Sequence, residues 1–208
     1  VTSAFARRLV PWLTALCLAP GCAGTLVKPS DIPPAPEARA RRAGTVVLLL
    51  KGVPAPMADE LRSFARGLGP TEEKQLASGN LREACGSPED LVLRPRLTGT
   101  HFASNAPDRN TLFIYETAVV VGIPVTLVSL VAWPYYGETI VEGELDHLDC
   151  AADEPTRQVA FFHLRSEGRG IVRTQTLRDA QYDAAVSGLT RRLLAADFAE
   201  LNHGRNEP

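Results

Sequence analysis

The chain has 208 residues, a formal net charge of −2, 45% hydrophobic and 22% charged residues, which is enough for one ordinary buried core and one domain. The near balance of charge excludes both the basic, aromatic-interleaved face of a nucleic-acid-binding protein and an acidic tail. Four cysteines and four histidines fall in no CxxC or Cys/His spacing that would hold zinc, so neither a metal nor a small-molecule cofactor is expected.

Arg7 and Arg8 precede "LVPWLTALCLAP", a twelve-residue apolar stretch, and no acid occurs before Asp31. A charged start followed by a short apolar run is the pattern of an export signal, expected over residues 1 to 21. The next residues, "LAPGCAG", carry a resemblance. Leu18, Ala19, Gly21 and Cys22 resemble the lipobox of bacterial lipoproteins, in which the cysteine is acylated and becomes the mature N-terminus; Pro20 departs from its usual small residue. The resemblance implies lipidation at Cys22 and a bilayer as partner through that lipid. Ordinary secretion with cleavage near Ala23, and an uncleaved anchor, are the alternatives. Residues 27 to 44, "VKPSDIPPAPEARARRAG", hold four prolines within eight positions followed by Arg39, Arg41 and Arg42. Such a composition favours an extended tether at about 3.1 Å per residue, reaching up to roughly 50 Å.

A globular domain is expected over residues 45 to 202, with a disordered tail at 203 to 208. "TVVLLLKG", residues 45 to 52, reads as a strand buried on both faces. Met57, Leu61, Phe64, Ala65 and Leu68 recur at helical spacing and stop at Gly69-Pro70. A second short helix is expected at 71 to 84, then a strand from Asp90 to Gly99 in which Pro95 implies an edge position or an irregularity. In "ETIVEGELDHLD" the apolar Val141 and Leu145 share a face with Gly143 and His147, while Glu142, Glu144 and Asp146 share the other. A hairpin is expected next, with strands at 157 to 165 and 170 to 176 around a turn containing Gly168. Tyr182, Ala185, Val186, Leu189, Leu193 and Ala196, widened by Leu194 and Leu201, form an apolar stripe on a helix of about twenty residues from Asp179. The fold class is therefore α+β: a small mixed β-sheet packed by helices, with an apolar insertion between strands and a C-terminal amphipathic helix.

That insertion covers residues 112 to 136, and its "TAVVVGIPVTLVSLVAWPYY" part, 117 to 136, carries no Asp, Glu, Lys, Arg or His. As a helix it would measure about 30 Å, long enough to span a bilayer. Against spanning stand the flanking charges, Arg94, Arg96 and Arg109 before and Glu138, Glu142, Glu144 and Asp146 after, which oppose the positive-inside preference for an exported N-terminus. A span would also separate the two halves of the sheet. The preferred reading is two short apolar segments joined at Gly122-Ile123-Pro124, packed on the domain or dipping into lipid. Val121, Ile123, Val125, Leu127, Leu130, Trp133 and Tyr135 are the residues expected to contact membrane or partner.

If Cys17 leaves with the signal and Cys22 carries lipid, Cys85 and Cys150 remain as a pair in an oxidising compartment, either as a disulfide or as buried thiols. No catalytic motif stands out. "ELDHLDC" gathers Asp146, His147, Asp149 and Cys150, but strand alternation sends Asp146 to the face opposite His147 and Asp149. Ser104 and Asp108 lie near His101 in a polar stretch of turn-forming composition.

In its order of parts the chain is similar to bacterial lipoproteins of unassigned role in which a lipobox and proline-rich tether precede a small α+β periplasmic domain with a "G-x-P" or "W-P" insertion. Cys22, Pro29 to Pro36, "VVVGIPVTLVSLVAWP" and the strand from Glu138 carry this likeness. It is also faintly similar to periplasmic lipoproteins that activate cell-wall synthases. The resemblance implies a non-enzymatic, lipid-anchored, periplasm-facing envelope protein, at the outer membrane, whose domain binds another envelope component or the membrane. An exported hydrolase using His101 or His147, and a bitopic protein spanning at 117 to 136, are the alternatives.

Overall fold

Val46–Leu48 forms β1, the short apolar strand at the heart of the domain, and all three side chains are buried. In the computed structural model, which describes residues 26–37, 42–76, 79–106, 134–169 and 172–203, β1 is followed by helix α1 (Ala55–Leu68) and strand β2 (Thr71–Glu73). Three long strands follow, β3 (Leu91–Ser104), β4 (Pro134–Asp149) and β5 (Thr156–Arg169). Helix α2 (Thr174–His203) ends the described chain. The strands form one sheet in the order β2-β1-β3-β4-β5. β1 is parallel to both neighbours, and β3, β4 and β5 are antiparallel. This is the expected α+β class.

Both helices lie on one face of the sheet. Met57, Leu61, Phe64 and Leu68 of α1 and Val186, Leu189, Leu193 and Leu194 of α2 meet Leu48, Leu93, Val141, Leu145, Phe162 and Leu164 of the sheet in the main core. Among the described residues, the opposite face is covered only at its parallel end. There Leu81 and Ala84, on a 3-10 turn Leu81–Ala84, pack on Val47, Val92 and Leu148. Cys85 and Cys150 are bonded beside them, with Cα atoms 5.9 Å apart. Over β3, β4 and β5 no described residue covers that face, and Val159 and Phe161 are 69% and 61% exposed on it.

Several expectations are corrected. Residues 71 to 84 form no α-helix: β2 and the 3-10 turn occupy them. β1 is buried on both sides, so its peptide groups need neighbours, and the chain around β2 provides them through Val46 N–H to the Pro70 carbonyl and Lys74 N–H to the Leu48 carbonyl. No hairpin folds within 157 to 176. β5 continues through Gly168 and pairs with β4 along its whole length. Gly168 serves a close approach, because the Tyr135 ring fills the place a Cβ would take. α2 starts at Thr174, earlier than Asp179, and its stripe passes through Asp197 and leaves Ala196 exposed.

Pro95 lies inside the sheet, yet the edge logic holds. Leu93 accepts from Leu49 on the β1 side, so the Pro95 nitrogen, two residues on, faces the same side just beyond the end of β1. No neighbour asks there for its missing N–H. A register shift follows between Leu97 and Gly99.

Described parts of the proline-rich segment lie on the domain, which corrects the picture of a free extended tether. Val27 packs on the main core, the Pro33 carbonyl accepts from Arg191 at 2.9 Å, and Arg42 pairs with Asp149 at 2.6 Å while its N–H meets the Leu68 carbonyl. Arg39 and Arg41 lie outside the described residues.

The β3–β4 ladder bears on the bitopic alternative. Ser104 pairs with Gly137 and Leu91 with Asp149, so the two strands stay together in one sheet. A single crossing between them would have to part that ladder. Pro134, Tyr135 and Tyr136, read as the end of the apolar insertion, are the first residues of β4. Among the described residues no helix is long and apolar enough to cross a membrane.

Candidate functional site

Of the residues expected to touch membrane or partner, Val121, Ile123, Val125, Leu127, Leu130 and Trp133 lie outside the described residues, as does Cys22. Tyr135 is described and is 6% exposed. It faces inward against Ala106 and Leu177, because the β4 alternation that buries Gly137 and Val141 buries position 135 as well. That corrects its assignment as a contact residue; its neighbour Tyr136, 40% exposed, takes the outward position.

The place where residues 107–133 leave and rejoin the domain is well defined. Asn105 is the clasp: its Oδ1 accepts from Tyr136 N–H at 2.7 Å, its Nδ2 donates to the Pro134 carbonyl at 3.3 Å, and its own N–H donates to the Tyr136 carbonyl. Ser104 Oγ donates to that same carbonyl at 3.0 Å and accepts from Ala106 N–H at 2.9 Å. Thr174 Oγ1 then donates to the Ala106 carbonyl at 2.6 Å, joining the start of α2 to the same point. One layer in, buried Gln181 donates to the Gly137 carbonyl and to Ser166 and meets Thr139 Oγ1. An open depression of 460 Å³ lies here, lined by Asn105, Pro134, Tyr136, Arg165 and Glu167 among others.

At the other end of the open face, charges from three strands meet in adjacent rows. Asp146, 2% exposed, receives Arg94 Nη2 at 2.8 Å, Arg96 Nη2 at 2.8 Å and Arg157 Nε at 2.7 Å. Burial pushes the Asp146 carboxyl up, but the guanidiniums of Arg94, Arg157 and Arg96 outweigh it and hold the group below the usual carboxylate range. A cavity of 340 Å³ beside it is lined by Arg82, Arg94, Asp146 and Arg157. An anion entering it would have to compete with Asp146 for guanidiniums already engaged.

The described residues weighed for catalysis are dispersed, and Asp108 lies outside the described residues. Ser104 and His147 stand opposite Gly137 and Leu93 respectively, roughly 33 Å apart along β4 at the strand rise. His147 Nδ1 meets Asp197 of α2 at 2.7 Å and its ring stacks near Phe198. Asp149 pairs with Arg42. As the alternation implied, Asp146, His147 and Asp149 form no common site. His163 meets Glu138 at 2.6 Å on the open face, while His203 has no described side chain. No group of three or more His, Cys, Asp or Glu able to hold a metal occurs among the described residues. The Asp146 cluster and the Arg191 contacts were missed by sequence reasoning. The alternation of Arg94 with Arg96, against Glu144 and Asp146, is the signal that points to the first; nothing local signals the second.

No family model matches the chain, and no curated protein matches it. Among solved structures, one from Helicobacter pylori, assigned as a neuraminyllactose-binding hemagglutinin homolog, is similar over 82% of this chain and 92% of that one, with 12% sequence identity and a TM-score of 0.41. At that score the likeness carries no argument about role.

Proposed function

We propose that the protein is a non-enzymatic lipoprotein of a bacterial cell envelope, acylated at Cys22, facing the periplasm at the outer membrane. Its domain engages another envelope component or the membrane through the apolar segment 107–133. The observation that supports this best is the Asn105 clasp. The segment departs at Ala106 and returns at Pro134 beside it, so its two ends are fastened together at one edge of the sheet, and its uncharged sequence is of the kind that needs an apolar partner.

The clasp also makes the test clean. Residues 107–133 are replaced by a four-residue Gly/Asn turn, and Cys22→Ala is made separately. The shortened chain is expected to keep its circular dichroism and cooperative melting but to lose association with envelope fractions. Cys22→Ala is expected to lose palmitate label and the corresponding mass. Retained association in the shortened chain, or unchanged mass and no label in wild type, overturns the reading. Loss of a cellular phenotype in the His101→Ala/His147→Ala double variant, with no loss on shortening, would favour the enzyme instead.

A further inference from the structure

The residues that flank 107–133 and the N-terminal side of the domain meet at one end of the sheet. Leu26 packs against Ala106, Tyr135 and Leu177, the small cluster at the foot of the segment. Cys22 lies four residues before Leu26, and four residues of even fully extended chain reach no further than about 14 Å. An acyl chain on Cys22 is therefore held near the end of the sheet from which residues 107–133 depart. The opposite end, with Asp149 and the Cys150 bond, is the length of β4 away, roughly 50 Å at the strand rise.

The exposed residues of this end suit a charged lipid surface. Tyr136 presents an amphipathic ring beside the clasp. Arg173 and Arg178 are both exposed at the start of α2, next to the Thr174 bond to Ala106, with the Arg178 guanidinium 6.0 Å from the Phe102 ring centroid. Glu167 on the same rim is paired with Arg165 at 2.7 Å. Resting on the proposed reading of a lipid-anchored protein, we infer that this end of the domain lies on an anionic lipid surface, with Arg173 and Arg178 at headgroup phosphates and the strands β3 and β4 standing away from it. The anchor brings the domain to the bilayer, and the arginines fix which way it faces.

The test uses the full protein, shown by palmitate label to carry its lipid, reconstituted in vesicles of phosphatidylcholine alone and in vesicles containing phosphatidylglycerol. Hydrogen exchange is followed by mass spectrometry. In phosphatidylglycerol, amides of residues 172–178 are expected to exchange at least fivefold more slowly than in phosphatidylcholine, with residues 150–155 unchanged as the far-end reference. Arg173→Glu/Arg178→Glu, both at exposed positions, is expected to abolish the difference while melting stays close to that of wild type. Equal exchange in both lipids, protection at 150–155, or protection that survives the charge reversal overturns the inference. So does protection that appears only when an envelope protein extract is added. Absence of palmitate label would instead sink the anchored reading beneath it, so the two failures are distinct.

Discussion

Asp146 and Arg157 face each other across the β4–β5 ladder, Oδ1 to Nε at 2.7 Å, and the same carboxylate also holds Arg94 and Arg96 from β3. One acid thus joins three strands on the uncovered face. Removing a buried partner strands the others, and these arginines are partly exposed. Asp146→Ala is expected to destabilise by about 2–3 kcal/mol in urea unfolding, below the full buried-pair range. Arg157→Ala is expected to lose much less than Asp146→Ala, as for exposed pairs.

Asp90 ties the start of β1 to the turn before β3. Its Oδ1 accepts from Thr45 N–H, and its Oδ2 accepts from Gly86 and Ser87 N–H at 2.8 Å each. The Thr45 bond leads, helped by Gly86 and Ser87 and opposed by burial, and the carboxyl is held down at about 2. A depressed carboxyl stabilises fully above its unfolded value, near 3.8, and loses that contribution as pH falls toward 2. Wild type is expected to lose stability from about pH 4 downward, whereas Asp90→Asn, which lacks that titration, should show a shallower acid slope. The same slope in both, by thermal unfolding between pH 2 and 6, would refute it.

The Cys85–Cys150 bond spans a sequence separation of 65 residues and joins the cover of the second small core to the end of β4. Cys85→Ala/Cys150→Ala is expected to lose about 3–4 kcal/mol on the chain-entropy view. Intact mass before and after reduction and alkylation reports the bond directly, and denaturant unfolding reports its effect.

Arg191 of α2 donates to the Pro33 carbonyl at 2.9 Å and pairs with Glu60 of α1 at 2.7 Å, so one side chain holds the N-terminal segment on both helices. Arg191→Ala is expected to lose about 1–2 kcal/mol, the range for charge-assisted bonds reduced for partial exposure. Amides of residues 30–37 should exchange roughly tenfold faster. Unchanged exchange there would show that the segment is held by other contacts.

The legible parts of the fold were those with a clean local period. β1 read as a doubly buried strand because its run was apolar and β-branched, α1 ended where Gly69-Pro70 said it would, and β4 alternated as written. Misread stretches had a local pattern overruled by a distant need. Thr71–Glu73 became a strand because β1 required a second neighbour. Gly168 looked like a turn but made room for Tyr135, and Asp197 took a buried stripe position because His147 meets it. At the candidate site, the uncharged run announced itself, while its boundary at Pro134 and the inward turn of Tyr135 depended on β4 pairing with β3 and β5.

By itself, the order of residues determined the α+β class, the helix and strand periods, and the uncharged stretch, because each is written in spacings of two to four positions. Which distant charges neutralise one another was decided by tertiary structure alone. Arg94 and Asp146 are 52 residues apart, and His147 and Asp197 are 50, so no local spacing encodes their meeting. The convergence of Leu26 with the foot of the apolar segment is of the same kind: it exists only because β3 and β4 pair in one sheet and the N-terminal segment is laid along the helices that cover it.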